Sequence, residues 1–226
     1  MKSVLIDMKN HPDDYLRGHT GSHFEQRIES KLRSRRYTKI LKEDFAGEAG
    51  RRAWNQIKQK VLEKTTAQPV ANTTEFRQNF LMGPYGTQNY PDILPFENQF
   101  IIPFELKFSR GGATKPVWNS GLPRPNGIYI FGSAKEREIT FFLGGDVISP
   151  EDARALHDHL DHVQNKTEEY NKTRMASQRY GFAAYVRKAF DQKKTINKNA
   201  ITNFFTNKHK ETLERNTIAE VARLSG

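Results

Sequence analysis

The 226-residue chain has no cysteine, which excludes a disulfide scaffold, a cysteine-bound zinc site and a thiol nucleophile. No stretch approaches the roughly 20 consecutive apolar residues of a membrane-spanning helix. The opening MKSVLIDMKN has too short an apolar run for a secretory leader. There is no Gly-x-x-x-x-Gly-Lys-Ser/Thr phosphate loop, so no nucleotide cofactor is expected. Acidic residues are in deficit: 26 Asp and Glu face 36 Lys and Arg, a net charge of +10. Such a balance suits a polyanionic partner, nucleic acid before an acidic membrane surface. Together these features predict a soluble cytoplasmic protein with no membrane contact.

Histidine offers little. His159 and His162 share a helix face and His19 and His23 are four apart, but neither pair has a convincing third ligand, so no zinc site is expected.

Along the chain the periodicity changes twice. Residues 1–67 are helix-rich: GSHFEQRIESKLRS carries Phe24, Ile28 and Leu32 on one stripe, with Ser22 as the expected N-cap and Glu25 as its capping-box partner. GEAGRRAWNQIKQKVLEK repeats the pattern through Ala53, Trp54, Ile57 and Val61. Residues 76–145 are rich in Phe, Ile, Gly and Pro and predict strands, among them IYIFGS and REITFFLGG. Residues 149–226 return to helix. Ser149 and Pro150 open it, and Ala153, Leu156, Leu160 and Val163 form its stripe. Two shorter helices are expected around YGFAAYVRKAF and NAITNFFTNKHKETLE, where lysine and asparagine interleave with aromatics, a composition that suits packing on the core, contact with DNA through Lys and Arg of the 172–210 region, or both. The fold class is α/β (α+β mixed), a mixed sheet following helices with a helical C-terminal region, in one domain spanning 1–226.

The segment NYPDILPFENQFIIPFELKFSR, residues 89–110, is the informative one. It reads as an apolar hairpin in which Phe100, Ile102, Phe104, Leu106 and Phe108 share one face, because strand side chains alternate. Glu105 and Lys107 fall together on the opposite face, and Asp92 lies on the preceding strand, within reach if the register allows. Two carboxylates and an ammonium suit metal-assisted phosphodiester hydrolysis. Mg²⁺ is a hard ion that takes one or two carboxylates, phosphate and water, and the Leu106 backbone carbonyl is a further candidate ligand. The bland competitor is a solvated strand face with an incidental Glu–Lys pair. A second Glu-x-Lys, Glu29-Ser30-Lys31, lies in the predicted amphipathic helix, where side chains two apart point about 200° from one another and cannot converge on one ion.

Pro91-Asp92 followed by Glu105-Leu106-Lys107 resembles the signature of the PD-(D/E)xK nuclease superfamily. The flanking loop and the IYIF strand are similar to those of its type II restriction endonucleases. The likeness covers residues 18–32 and 84–132. It implies a restriction-endonuclease-like core, a central mixed sheet flanked by helices, with catalytic Asp92, Glu105 and Lys107, a Mg²⁺ cofactor held by Asp92, Glu105 and the Leu106 carbonyl, and a helix-borne catalytic carboxylate. Glu25 of GSHFEQRIE fits that last role, and Glu29 is the alternative. It also implies a prokaryotic homodimer cutting both strands of double-stranded DNA at a palindromic site. The loop 109–127 adds Arg110, Lys115, Trp118, Asn119 and Arg124 as candidate DNA contacts among its glycines and prolines. Two other functions compete: a structure-specific repair or recombination nuclease on the same core, and a basic DNA-binding protein without catalysis.

Overall fold

The computed structural model describes residues 1–226 except His19, Thr65, Thr87, Gln88, Ser120 and Lys188. The zinc pair His19 and His23 therefore includes a member outside the described residues. The chain opens with helices α1 (Lys2–Asn10), α2 (Pro12–Leu16) and α3 (Gly21–Ser34). The α3 stripe of Phe24, Ile28 and Leu32 is buried. The helix starts earlier than Ser22 because Thr20 is already extended and its hydroxyl accepts a hydrogen bond from the His23 N–H. That cap leaves Ser22 and Glu25 inside the helix, with Glu25 free of any capping role. A short strand, β1 (Thr38–Lys39), leads to α4 (Gly47–Val61), which buries Trp54, Ile57 and Val61.

The remaining strands are β2 (Val70–Ala71), β3 (Asn79–Met82), β4 (Ile93–Phe96), β5 (Phe100–Ile101), β6 (Phe104–Ser109), β7 (Ile128–Ser133) and β8 (Glu138–Leu143). They form one mixed sheet ordered β1-β3-β4-β6-β7-β8, with β5 pairing β4 and β2 at the side. The β6–β7 pair is parallel, so the loop 110–127 is a crossover. Alternation sorts the side chains into two cores. Phe104, Leu106, Ile128, Ile130, Ile139 and Phe141 face the first, with residues of α1, α2 and α3. Tyr129, Phe131 and Phe142 face the second, with Trp54 and Ile57 of α4 and with Trp118, Phe204 and Phe205. Central strands that are apolar on both faces are what a sheet covered on both sides requires.

Past β8 the chain makes α5 (Gly144–Val147) and α6 (Pro150–Tyr170). Ser149 caps α6 as expected, its hydroxyl accepting from the Asp152 N–H at 3.0 Å. The apolar stripe of α6 is a different matter. Of its four members only Ala153 is buried, and Leu156 is 42% exposed. The two short helices expected next are corrected as well. A π-helical turn at Asn171–Met175 is followed, among the described residues, by irregular chain up to His209, and only the KETLE end of the second stretch is helical. Gly181 sits at φ +65, which interrupts a right-handed helix there. The carboxamide oxygens of Asn197, Asn203 and Asn207 each accept from an N–H two residues on, a local alternative to helical hydrogen bonding. Regular structure resumes as α7 (Lys210–Ser225), whose Val221 and Leu224 join the first core.

Candidate active site

β4 and β6 are antiparallel and pair at Ile93 and Phe104, the first residue of each strand. Beyond that point the ladder stops on one side, since Pro91 has no N–H to extend it. β6 runs on to Ser109 with only β7 beside it. Asp92 stands at this fork and replaces the missing strand: its Oδ2 accepts from the Leu106 N–H at 2.6 Å. In an extended strand the N–H and C=O of one residue point to the same edge. The Leu106 carbonyl therefore opens toward Asp92.

Glu105 and Lys107 lie on the face of β6 opposite Phe104 and Leu106, as alternation requires. That face is not wet. Glu105 is 5% exposed, and the parallel register sets it beside Tyr129. Lys107 Nζ donates to Glu105 Oε1 at 2.8 Å and lies 6.0 Å from the Trp118 ring centroid. Glu105 Oε2 is buried with no hydrogen-bond partner. Burial, then the neighbouring Glu105 charge, push the Asp92 carboxyl up to about 7, against the help of the Leu106 N–H. Glu25 on α3 is pushed up by burial and by the same Glu105 charge. Three carboxyl groups thus sense one another at the fork.

Glu29, the alternative helix-borne carboxylate, is elsewhere. It binds Lys39 at 2.9 Å and Arg33 at 2.9 Å. Burial would raise its pKa, but those two cations hold it below the ordinary value. Lys31 of the same Glu-x-Lys pairs with Asp7 at 2.8 Å, so the helical pair is split as its spacing demands.

The crossover loop departs from expectation. Trp118 is 3% exposed and packs edge-on against Tyr129 and Phe142, so its ring is a wall of the second core and cannot lie on DNA. Lys115 is bound to the Asp191 carboxylate and the Gln192 carbonyl. Arg124 is half-buried, its guanidinium 5.8 Å from the Tyr90 ring centroid with Nη1 buried and unpartnered. Arg110 and Asn119 are exposed.

Sequence reasoning passed over Tyr90 and Tyr129, whose hydroxyls burial and the Glu105 charge both push upward. The Tyr129 hydroxyl accepts from the Arg124 N–H at 2.7 Å. Gly127 leaves room for Tyr90, since a Cβ there would lie 2.3 Å from its hydroxyl. The alternation of IYIF, taken with a parallel β6–β7 register, was the available signal for Tyr129.

Among the described residues no three His, Cys, Asp or Glu side chains form a ready metal-binding group. The donors at the fork nonetheless fit Mg²⁺: two carboxylates that repel each other, one buried oxygen lacking a donor, and an inward backbone carbonyl. No family model, curated protein or solved structure matches the chain.

Proposed function

We propose that the chain is a Mg²⁺-dependent endonuclease that hydrolyses phosphodiester bonds in both strands of double-stranded DNA. In this reading it is a type II restriction endonuclease of the PD-(D/E)xK superfamily, working as a homodimer in a prokaryotic cytoplasm. The observation that carries the reading is Glu105, 5% exposed, with Oε2 unpartnered beside a second carboxyl at the sheet fork. A buried carboxylate oxygen without a donor is costly, and a divalent cation removes both that cost and the repulsion from Asp92.

Asp92, Glu105 and the Leu106 carbonyl would hold the ion. When bound, it supplies charge that polarises a phosphoryl oxygen and lowers the pKa of water. The chain's own groups do the rest. Lys107 presents an ammonium fixed by Glu105, to hold the attacking water and stabilise charge growing on the phosphate. Trp118 and Tyr129 keep bulk water from that face, which strengthens the field of each charge. Glu25 adds a third carboxylate from the helix side.

Incubation of the protein with Mg²⁺ and viral genomic DNA, read on a gel, tests the proposal. Discrete bands are expected. A smear or junction-only cutting would move the activity to a repair-type nuclease, and intact DNA would contradict it. A dimer on a palindromic site predicts two chains per duplex in sedimentation of the DNA complex.

A further inference from the structure

The positive charge of the chain is unevenly placed. Residues 171–209 hold nine Lys or Arg and one acidic residue, Asp191, and so contribute +8 of the net +10. The single acid is already used. Asp191 binds Lys115 of the crossover loop, with Lys193 at 3.9 Å. Around it the segment is sewn to that loop: Phe190 N–H donates to the Trp118 carbonyl at 2.9 Å, Trp118 Nε1 to Gln192 at 3.0 Å, and Phe204 N–H to the Thr114 carbonyl at 2.7 Å. Most of the described residues between these anchors and α6 are solvent-exposed. Phe182, Tyr180 and Tyr185 are 71%, 78% and 85% exposed, which a segment seeking a core would not tolerate.

Next to the anchors lies an open cavity of about 580 Å³ lined by Lys194, Lys198, Lys208, His209, Asn203 and Asn207 among others, with no acidic residue in its lining. All three lysines are exposed, and none has an ion-pair partner among the described residues. Three uncompensated ammonium groups around an open concavity repel one another until an anion sits between them.

We propose that residues 171–209 are a nucleic-acid-binding arm, and that the Lys194–Lys198–Lys208 cavity is its seat for backbone phosphate. The exposed rings of Tyr180, Phe182 and Tyr185 offer faces on which bases stack. Nucleic acid fits better than an acidic membrane. The apolar and cationic residues follow no single helix face, as an interfacial membrane helix requires, because the segment is irregular chain. The inference does not depend on the catalytic reading. It assigns affinity to a surface that Asp92, Glu105 and Lys107 do not share.

The test is binding of a fluorescent random-sequence duplex to the full chain, by anisotropy, in Ca²⁺ between 50 and 200 mM salt. The variant is the triple Lys194→Ala, Lys198→Ala, Lys208→Ala, made at exposed positions so that folding is untouched. Loss of three phosphate contacts should weaken binding by about tenfold or more and cut the log–log salt slope by between about 2 and 3. The control triple Lys42→Ala, Arg51→Ala, Lys60→Ala removes equal charge from the exposed region around α4 and should leave both quantities near the parent. Unchanged affinity and slope in the cavity variant would overturn the proposal. So would an equal loss in the control, or binding of phosphatidylserine vesicles in place of the duplex. The assay reads binding alone and scores the cavity lysines whether or not the chain cleaves DNA, so a failed nuclease reading and a failed arm give different results.

Discussion

The fork at Asp92 and the arm at 171–209 are both charged, and they are built on opposite terms. The fork holds few charges, buried and set against each other, so each shifts its neighbours: Glu105 raises Asp92 and Glu25 and binds Lys107. The arm holds many charges, exposed and of one sign, with its single carboxylate engaged by Lys115. Burial multiplies what one charge does to the next, whereas water and salt divide it. The net charge of the chain thus reports the arm and says almost nothing of the fork. A site for chemistry and a surface for affinity need different electrostatics, and the two proposed here lie more than sixty residues apart in sequence.

If that division is right, the largest effect belongs to Lys107→Ala. Cleavage should fall by at least about 10²–10³-fold, the usual loss when one preorganised electrostatic group is removed, while duplex binding in Ca²⁺ persists. Normal cleavage by this variant would return the Glu–Lys pair to an incidental ion pair. Trp118 sharpens the boundary from the other side. It was a candidate DNA contact, but it is buried and joins the crossover loop to the arm. Trp118→Ala should cost about 3–5 kcal/mol in denaturant unfolding; an unchanged midpoint with weakened DNA binding would make it a ligand contact after all.

A smaller effect appears in pH. Folded Asp92 and Glu25 hold protons that the unfolded chain releases, since both are raised above their ordinary values. The unfolded state therefore binds fewer protons between about pH 4 and about 7, and stability in chelator should fall as pH rises through that window. Mg²⁺ at pH 8 should restore the melting temperature, and Asp92→Asn should flatten the pH dependence. A melting temperature that is level from pH 5 to 8 in chelator would contradict this. The smallest effect is expected from Glu29→Gln, which should cut at close to the parent rate, because Glu29 is committed to Lys39 and Arg33. A large loss there would exchange its role with that of Glu25.

Much of the sheet was legible. Phe104, Leu106 and Phe108 alternate with Glu105 and Lys107, and a period of two admits one sorting of faces. The α3 stripe was as clear, although its cap was not: Thr20 and Ser22 are both good N-caps, and backbone conformation chose between them. The wetness of the Glu105 face was not legible, since it depends on Trp118, Tyr90 and Tyr129 arriving from distant segments. Nor was the arm. Its lysines and aromatics read as helix, while Gly181 and the asparagine side chains turned the chain elsewhere. The α6 stripe shows the limit of periodicity, which predicts an apolar face and leaves unstated whether anything covers it.

The division of labour is tested most directly by measuring single-turnover cleavage in Mg²⁺ and affinity in chelator on the same duplex with Glu105→Gln. The substitution keeps the shape of the side chain and removes the charge that would hold the ion. The account predicts cleavage reduced by at least about 10²-fold with affinity equal to that of the parent. Cleavage at the parent rate would contradict it.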